Sequence, residues 1–152
     1  MVPERIEREI LIEAPIDVVW AVLTEPEHIA GWFSDSAEID LRPGGDAILT
    51  WEKHGTARAR VEKVEPPHTF SFRWARPMGA EPGESNSTLV EFNLSVEGEH
   101  TRLRVVESGF PALDGSEEEK TRYFDGNTEG WTHELAELRE YVAQQVPESA
   151  RR

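Results

Sequence analysis

The sequence predicts an α+β domain in which about seven strands form one curved antiparallel sheet gripping a long C-terminal helix. Three observations carry that reading. Residues 116–145 hold a single apolar stripe at helical spacing. Much of the chain from 37 to 106 alternates apolar and polar residues between turn signals. The opening strand is separated from those strands by two short segments that each begin with proline near a helix start.

Taken in order, residues 4–13 place Ile6, Ile10 and Ile12 on one parity and Glu7, Glu9 and Glu13 on the other, the pattern of a half-buried strand, with Arg8 the exception on the apolar face. Ala14-Pro15 ends that strand and opens a helix whose buried stripe is Ile16, Val19, Trp20 and Leu23. Thr24-Glu25-Pro26-Glu27 reads as a capping box starting a second helix at about residue 25, ending at Gly31. Strands follow at 37–41, 46–53, 56–64, 69–74, 88–96 and 101–106. They are divided by Arg42-Pro43-Gly44-Gly45, His54-Gly55, Glu65-Pro66-Pro67, a longer Pro/Gly loop over 75–86, and Glu97-Gly98-Glu99. Hairpin-length connections make the pairing antiparallel. Parity turns Ala57, Ala59, Val61, Phe70, Phe72, Trp74, Val90, Phe92, Leu94, Leu103 and Val105 inward and mostly charged residues outward.

The last helix starts at a capping box, Ser116 with Glu119, and Glu117 to Glu119 put negative charge at its positive end. Phe124, Trp131, Leu135, Leu138 and Val142 form its apolar stripe, while Glu134, Glu137, Arg139 and Glu140 fall elsewhere on the wheel. Gly126 and Gly130 flatten one side, which marks either a close approach by a strand, loop or ligand, or a kink or joint between two shorter helices. Val146-Pro147 stops the helix, so residues 1–146 read as one domain and 147–152 as a short tail.

Composition narrows the function. With 30 acidic against 16 basic residues the formal charge is -14, which repels nucleic acid and anionic membranes. The chain has no cysteine, hence no disulfide or thiolate chemistry. No segment resembles a signal peptide or the roughly 20-residue apolar run of a membrane span, so a cytoplasmic protein is expected. The five histidines are dispersed, and His133-Glu134 lacks a second histidine four residues on, so neither metal nor cofactor is expected.

Ala14-Pro15 with Val19-Trp20, Thr24-Glu25-Pro26, Trp32-Phe33, Pro43-Gly44-Gly45, Val64-Glu65-Pro66, Ser108-Gly109-Phe110 and Gly130-Trp131 with Leu135 and Leu138 resemble, in order and spacing, the START-like helix-grip superfamily. Within it they resemble the group named after the C-terminal domain of the activator of the heat-shock-protein-ninety ATPase. The likeness runs from about Arg5 to Ala143. It implies a seven-stranded curved sheet around the C-terminal helix, with a cavity that in related groups takes lipids, sterols, polyketides or other apolar molecules. Relatives include carriers, cyclases and chaperone activators. Full-length chaperone activators carry a further N-terminal domain without a counterpart in these 152 residues.

An empty pocket of about 300 Å³ would cost roughly 7 kcal/mol at the usual cavity penalty, comparable with a domain's whole stability. A cavity here is therefore small, wet or occupied. Trp131, Phe92, Trp74 and Phe72 lie mid-element on the inner face and are the first candidates to line it; Trp51, Trp32, Tyr123 and Phe110 complete the apolar set. Arg8 and Glu107 continue the inner parity of their strands, and because first and last strands neighbour one another in this topology, they are expected to face each other at one end of the cavity. Such a pair either orients a polar ligand head or is a structural ion pair.

Three functions stay open. A binding protein for a small hydrophobic or aromatic molecule leads. A chaperone-associated or other protein-partner module follows. A cyclase or hydrolase using Glu107, Glu52, His54 or Tyr123 as acid and base is the third. The short strand at 37–41 offers an edge for pairing, so the chain is read as a monomer or homodimer.

Overall fold

A computed structural model describes residues 2–76 and 78–145. The opening strand β1 (Arg5–Ile12) leads into helices α1 (Ile16–Thr24) and α2 (Pro26–Trp32). Strands β2 (Ser36–Ile39), β3 (Asp46–Trp51), β4 (Gly55–Glu65), β5 (Thr69–Ala75), β6 (Ser87–Glu97) and β7 (His100–Ser108) follow. A 3₁₀ turn (Phe110–Ala112) precedes the long helix α3 (Glu117–Gln145). The seven strands form one antiparallel, curved sheet in the order β1-β7-β6-β5-β4-β3-β2. The α+β helix-grip architecture and the β1–β7 neighbour pair are as the sequence predicts. A register shift between Val61 and Lys63 in β4 adds local bend, as an extra residue on one strand does.

Alternation decides which face is dry. Ala59, Val61, Phe70, Phe72, Val90, Phe92, Leu94, Leu103 and Val105 are buried in one core with Val19, Val22 and Leu23 of α1 and Trp131, Leu135, Leu138 and Val142 of α3, while Ala57 is buried beside it with Ile29 and Leu49. The α3 capping box forms in both directions: the Glu119 N–H donates to Ser116 Oγ at 3.1 Å and the Ser116 N–H to Glu119 Oε1 at 3.3 Å. The helix is continuous through Gly126 and Gly130, so the reading of two shorter helices is discarded. Near its C-terminal end Tyr141 lies directly over Gly31 of α2, and its hydroxyl is 2.8 Å from His28 Nδ1. Only a residue without a Cβ allows that approach.

Two local expectations change. Thr24 caps nothing: its hydroxyl donates back to the Trp20 carbonyl at 2.8 Å, and α2 begins at Pro26 behind Glu25 without a side-chain cap. The helix also runs one residue past Gly31 to Trp32. The stop expected at Val146-Pro147 and the tail over 147–152 lie outside the described residues. Among those described, no helix is long and apolar enough to cross a membrane.

Candidate functional site

Helix α3 packs against β1, α1, α2 and the 3₁₀ turn. Between its N-terminal half and the β3–β5 side of the sheet lies an open cavity of about 540 Å³. That is within the range of small-molecule sites, about 300–1,000 Å³. Trp51 and Trp74 supply its sheet wall, Tyr123, Asn127, Trp131 and Glu134 its helix wall, and Phe33 its floor. Gly126 and Gly130 face it, and a Cβ built on either would meet nothing within 4 Å. The bare stretch of helix is therefore cavity surface.

Phe33, just past α2, divides this space from a second void. Its ring stacks on Trp74 (5.8 Å between centroids, 17° between planes) and on Trp131 (5.7 Å, 11°) and meets Trp51 edge-on at 5.4 Å. Offset stacking and edge contacts of this kind are the favoured aromatic geometries. Behind it lies a pocket of about 30 Å³ lined entirely by apolar side chains, among them Trp32, Phe72 and Phe92. A space with no polar partner stays dry.

Under the aromatic wall sits Glu107, which is 0% exposed. Its Oε1 accepts from Trp131 Nε1 at 2.9 Å, and its Oε2 from Trp74 Nε1 at 2.9 Å and the Thr88 hydroxyl at 2.6 Å. The Asn127 amide donates to both oxygens at 3.0 Å. Four donors from β5, β6 and α3 thus converge on one carboxyl, which is how a buried acceptor avoids the cost of desolvation without a cation. The consequence is positional: the two indoles that wall the cavity are held from beneath.

The expected Arg8–Glu107 pair does not form. The β1–β7 register sets Ile6 opposite Glu107 and Arg8 opposite Val105. Arg8 instead donates to the Glu7 carbonyl at 2.8 Å and reaches Thr132 on the flank of α3 at 3.5 Å. Glu107 is already filled by neutral donors, so no cation is required. Of the other candidates, Trp131, Trp74, Trp51 and Tyr123 share the large cavity. Phe92, Phe72 and Trp32 line the small one, and the Trp32 indole N–H is spent on the Val22 carbonyl at 3.0 Å. Phe110 is fully buried against Tyr123 and Phe124 and lines neither. His54 joins the cavity rim, whereas Glu52 is exposed and its backbone N–H is bonded to Asp35.

Sequence reasoning missed Phe33, Asn127, Arg76 and Glu134. The α3 members had a usable signal: 123, 126, 127, 130, 131 and 134 recur at intervals of three and four, so they share a face. That face is mixed in polarity and adjoins the apolar stripe. Arg76 carries its guanidinium 4.7 Å from the centre of the Tyr123 ring, a cation–π contact. The Tyr123 hydroxyl is raised above its ordinary pKa by burial and by the nearby Glu107 charge, so it is a hydrogen-bond donor at neutral pH. Glu134 is pushed up to about 7, chiefly by burial and also by the charge of Glu137. Among the described residues no group of three or more His, Asp or Glu is placed to hold a metal.

Residues 13–143 match the family model described as Activator of Hsp90 ATPase homolog 1-like protein. Among solved structures, DynU16, a protein of the dynemicin biosynthetic locus, superposes with a TM-score of 0.77 at 25% identity. The match covers 95% of this chain but only 49% of DynU16, so the chain spans about half the length of that relative. CalU16 from Micromonospora echinospora gives a TM-score of 0.69 at 27% identity, over 93% of this chain and 77% of CalU16. The Aha1 dimer from Colwellia psychrerythraea gives 0.73 at 19% identity, over 93% and 96%, and at that identity shows the fold alone. A comparison with curated proteins gives no match. The chain is thus a START-like helix-grip protein and belongs to the Activator of Hsp90 ATPase homolog 1-like family.

Proposed function

We propose that the chain binds a small aromatic or otherwise apolar molecule in the cavity between the sheet and α3. The observation that carries this is the bare helix face: two glycines open onto about 540 Å³ of space walled by Trp51, Trp74 and Trp131. A helix interior disfavours glycine by about 1 kcal/mol relative to alanine, and two of them on one face keep open a space that side chains would otherwise fill. The similarity to a protein of a biosynthetic locus agrees with a small-molecule role.

Turnover is a weaker reading of the same site. Tyr123 and Asn127 both line the cavity. Yet the Tyr123 phenol is held protonated, and the Glu107 oxygens are wholly enclosed and engaged by four donors. Neither is a free base aimed at a substrate. A chaperone-associated role rests on the family relationship rather than on a surface of this chain.

The test is native mass spectrometry and thermal melting against a panel of aromatic polyketides, flavonoids, fatty acids and sterols. Binding raises the melting temperature with ligand concentration. The Gly126→Leu/Gly130→Leu double variant, which fills the cavity from the helix side, is expected to lose that rise while remaining folded. A panel without effect on the unaltered chain would sink the reading.

A further inference from the structure

Resting on the binding reading, two polar atoms of the cavity point to the chemistry of its occupant. Arg76 Nη1 and Glu134 Oε2 are both buried and have no hydrogen-bond partner among the described residues, and both side chains line the cavity. Buried polar atoms are overwhelmingly paired in folded proteins, so two orphans on the walls of one cavity mark positions that an occupant would satisfy.

The two atoms ask for opposite partners. A guanidinium has donors only, and its planar fork suits a carboxylate. Arg76 is steadied by the Tyr123 ring. The carboxylate whose charge its neighbourhood shares, Glu119, is occupied in the capping box with Ser116. Glu134 lines the same cavity from α3, about three turns beyond the Tyr123 ring that Arg76 covers, and offers an acceptor for a hydroxyl or amine. Between them the walls are flat: Trp74 and Trp131 lie 28° apart with ring centres separated by 5.9 Å, and Phe33 stacks on both. An alkyl chain would leave both polar atoms unsatisfied, and a cationic ligand would be repelled by Arg76.

We propose that the cavity selects a planar aromatic acid, with Arg76 receiving its carboxylate and Glu134 accepting from a ring hydroxyl. Isothermal titration calorimetry with hydroxynaphthoate, its methyl ester, naphthoate and naphthol separates the contributions. The acid should bind about tenfold or more tighter than its ester, the scale of one charge-assisted hydrogen bond. Arg76→Gln should bring the acid-to-ester affinity ratio down to about one, and Arg76→Lys should retain part of the preference. Glu134→Leu should remove the advantage of hydroxynaphthoate over naphthoate. Melting curves establish that each variant is folded; where Arg76→Gln is not, the acid-to-ester ratio of the unaltered chain and of Arg76→Lys decides. Ester and acid binding alike, or a preference unchanged in Arg76→Gln, overturns the assignment of an acid while leaving the cavity reading intact. Failure of all four compounds to bind overturns the assignment of an aromatic acid, whereas the cavity reading falls only if the wider panel of polyketides, flavonoids, fatty acids and sterols is also without effect.

Discussion

The indole Nε1 of Trp131 on α3 lies 2.9 Å from Oε1 of Glu107 on β7, joining the covering helix to the sheet through a carboxyl with no exposure to solvent. The other oxygen takes Trp74 Nε1 at the same distance. One side chain on the last strand therefore sets the spacing of two stacked rings that line the site side by side.

Glu107→Gln should destabilise the domain, because an amide nitrogen in place of Oε2 turns a donor toward the Trp74 indole. Each donor left without an acceptor costs about 1–3 kcal/mol. Glu107→Leu, which orphans all four donors, should cost more than Glu107→Gln. Urea unfolding followed by tryptophan fluorescence measures both; a Leu variant as stable as the parent would show that the network contributes nothing.

Gly126→Ala and Gly130→Ala should each stabilise α3. Neither glycine has a positive φ, and the new methyl meets open space. The expected gain is about 0.4–1 kcal/mol in thermal or denaturant unfolding. The same substitutions should weaken ligand binding, so stability and affinity move in opposite directions.

Glu134 makes stability depend on pH. Its folded pKa of about 7 stands above the ordinary 4.5, so between these values the folded state holds more proton than the unfolded one, and stability falls as pH rises. Its contribution is intact below about pH 4.5 and lost above about pH 7. Glu134→Gln should therefore match the parent at pH 4 and exceed it at pH 8. Parallel pH series of urea midpoints would expose a flat difference, the outcome that contradicts the argument.

Ser116→Ala removes one arm of the capping box, the bond accepted by Ser116 Oγ from the Glu119 N–H. A loss of about 1 kcal/mol is expected, which for a chain of this length lowers the melting temperature by roughly 2–4 °C. Thr24→Ala, by contrast, should leave α2 capping unaffected, since that hydroxyl serves the Trp20 carbonyl.

Periodicity made the fold legible. Alternation from Ala57 to Val105 assigned the dry face, and the stripe from Trp131 to Val142 assigned the helix that covers it. The site was legible only in part, for a physical reason. Glu107 stands out by its inward parity, but its partners come from three other elements, and neutral indole, hydroxyl and amide donors suffice where a cation is expected. Phe33 follows a short helix and belongs to no repeat, so no pattern marks its ring as the one that stacks on both Trp74 and Trp131. Glu134 falls off the apolar stripe on the helical wheel, and its spacing of four from Gly130 places it on the bare face that lines the cavity.

Phe33 has a consequence for capacity. Among the lining residues Phe33 is common to the large cavity and the dry void behind it, and it is carried by a segment outside both the sheet and α3. A change of rotamer there, or a smaller residue at that position, would merge the compartments and lengthen the site toward Phe72 and Phe92 without moving a strand. The depth of the binding space is thereby separable from the scaffold that holds it, and one position can retune which lengths of molecule fit while the fold is left alone.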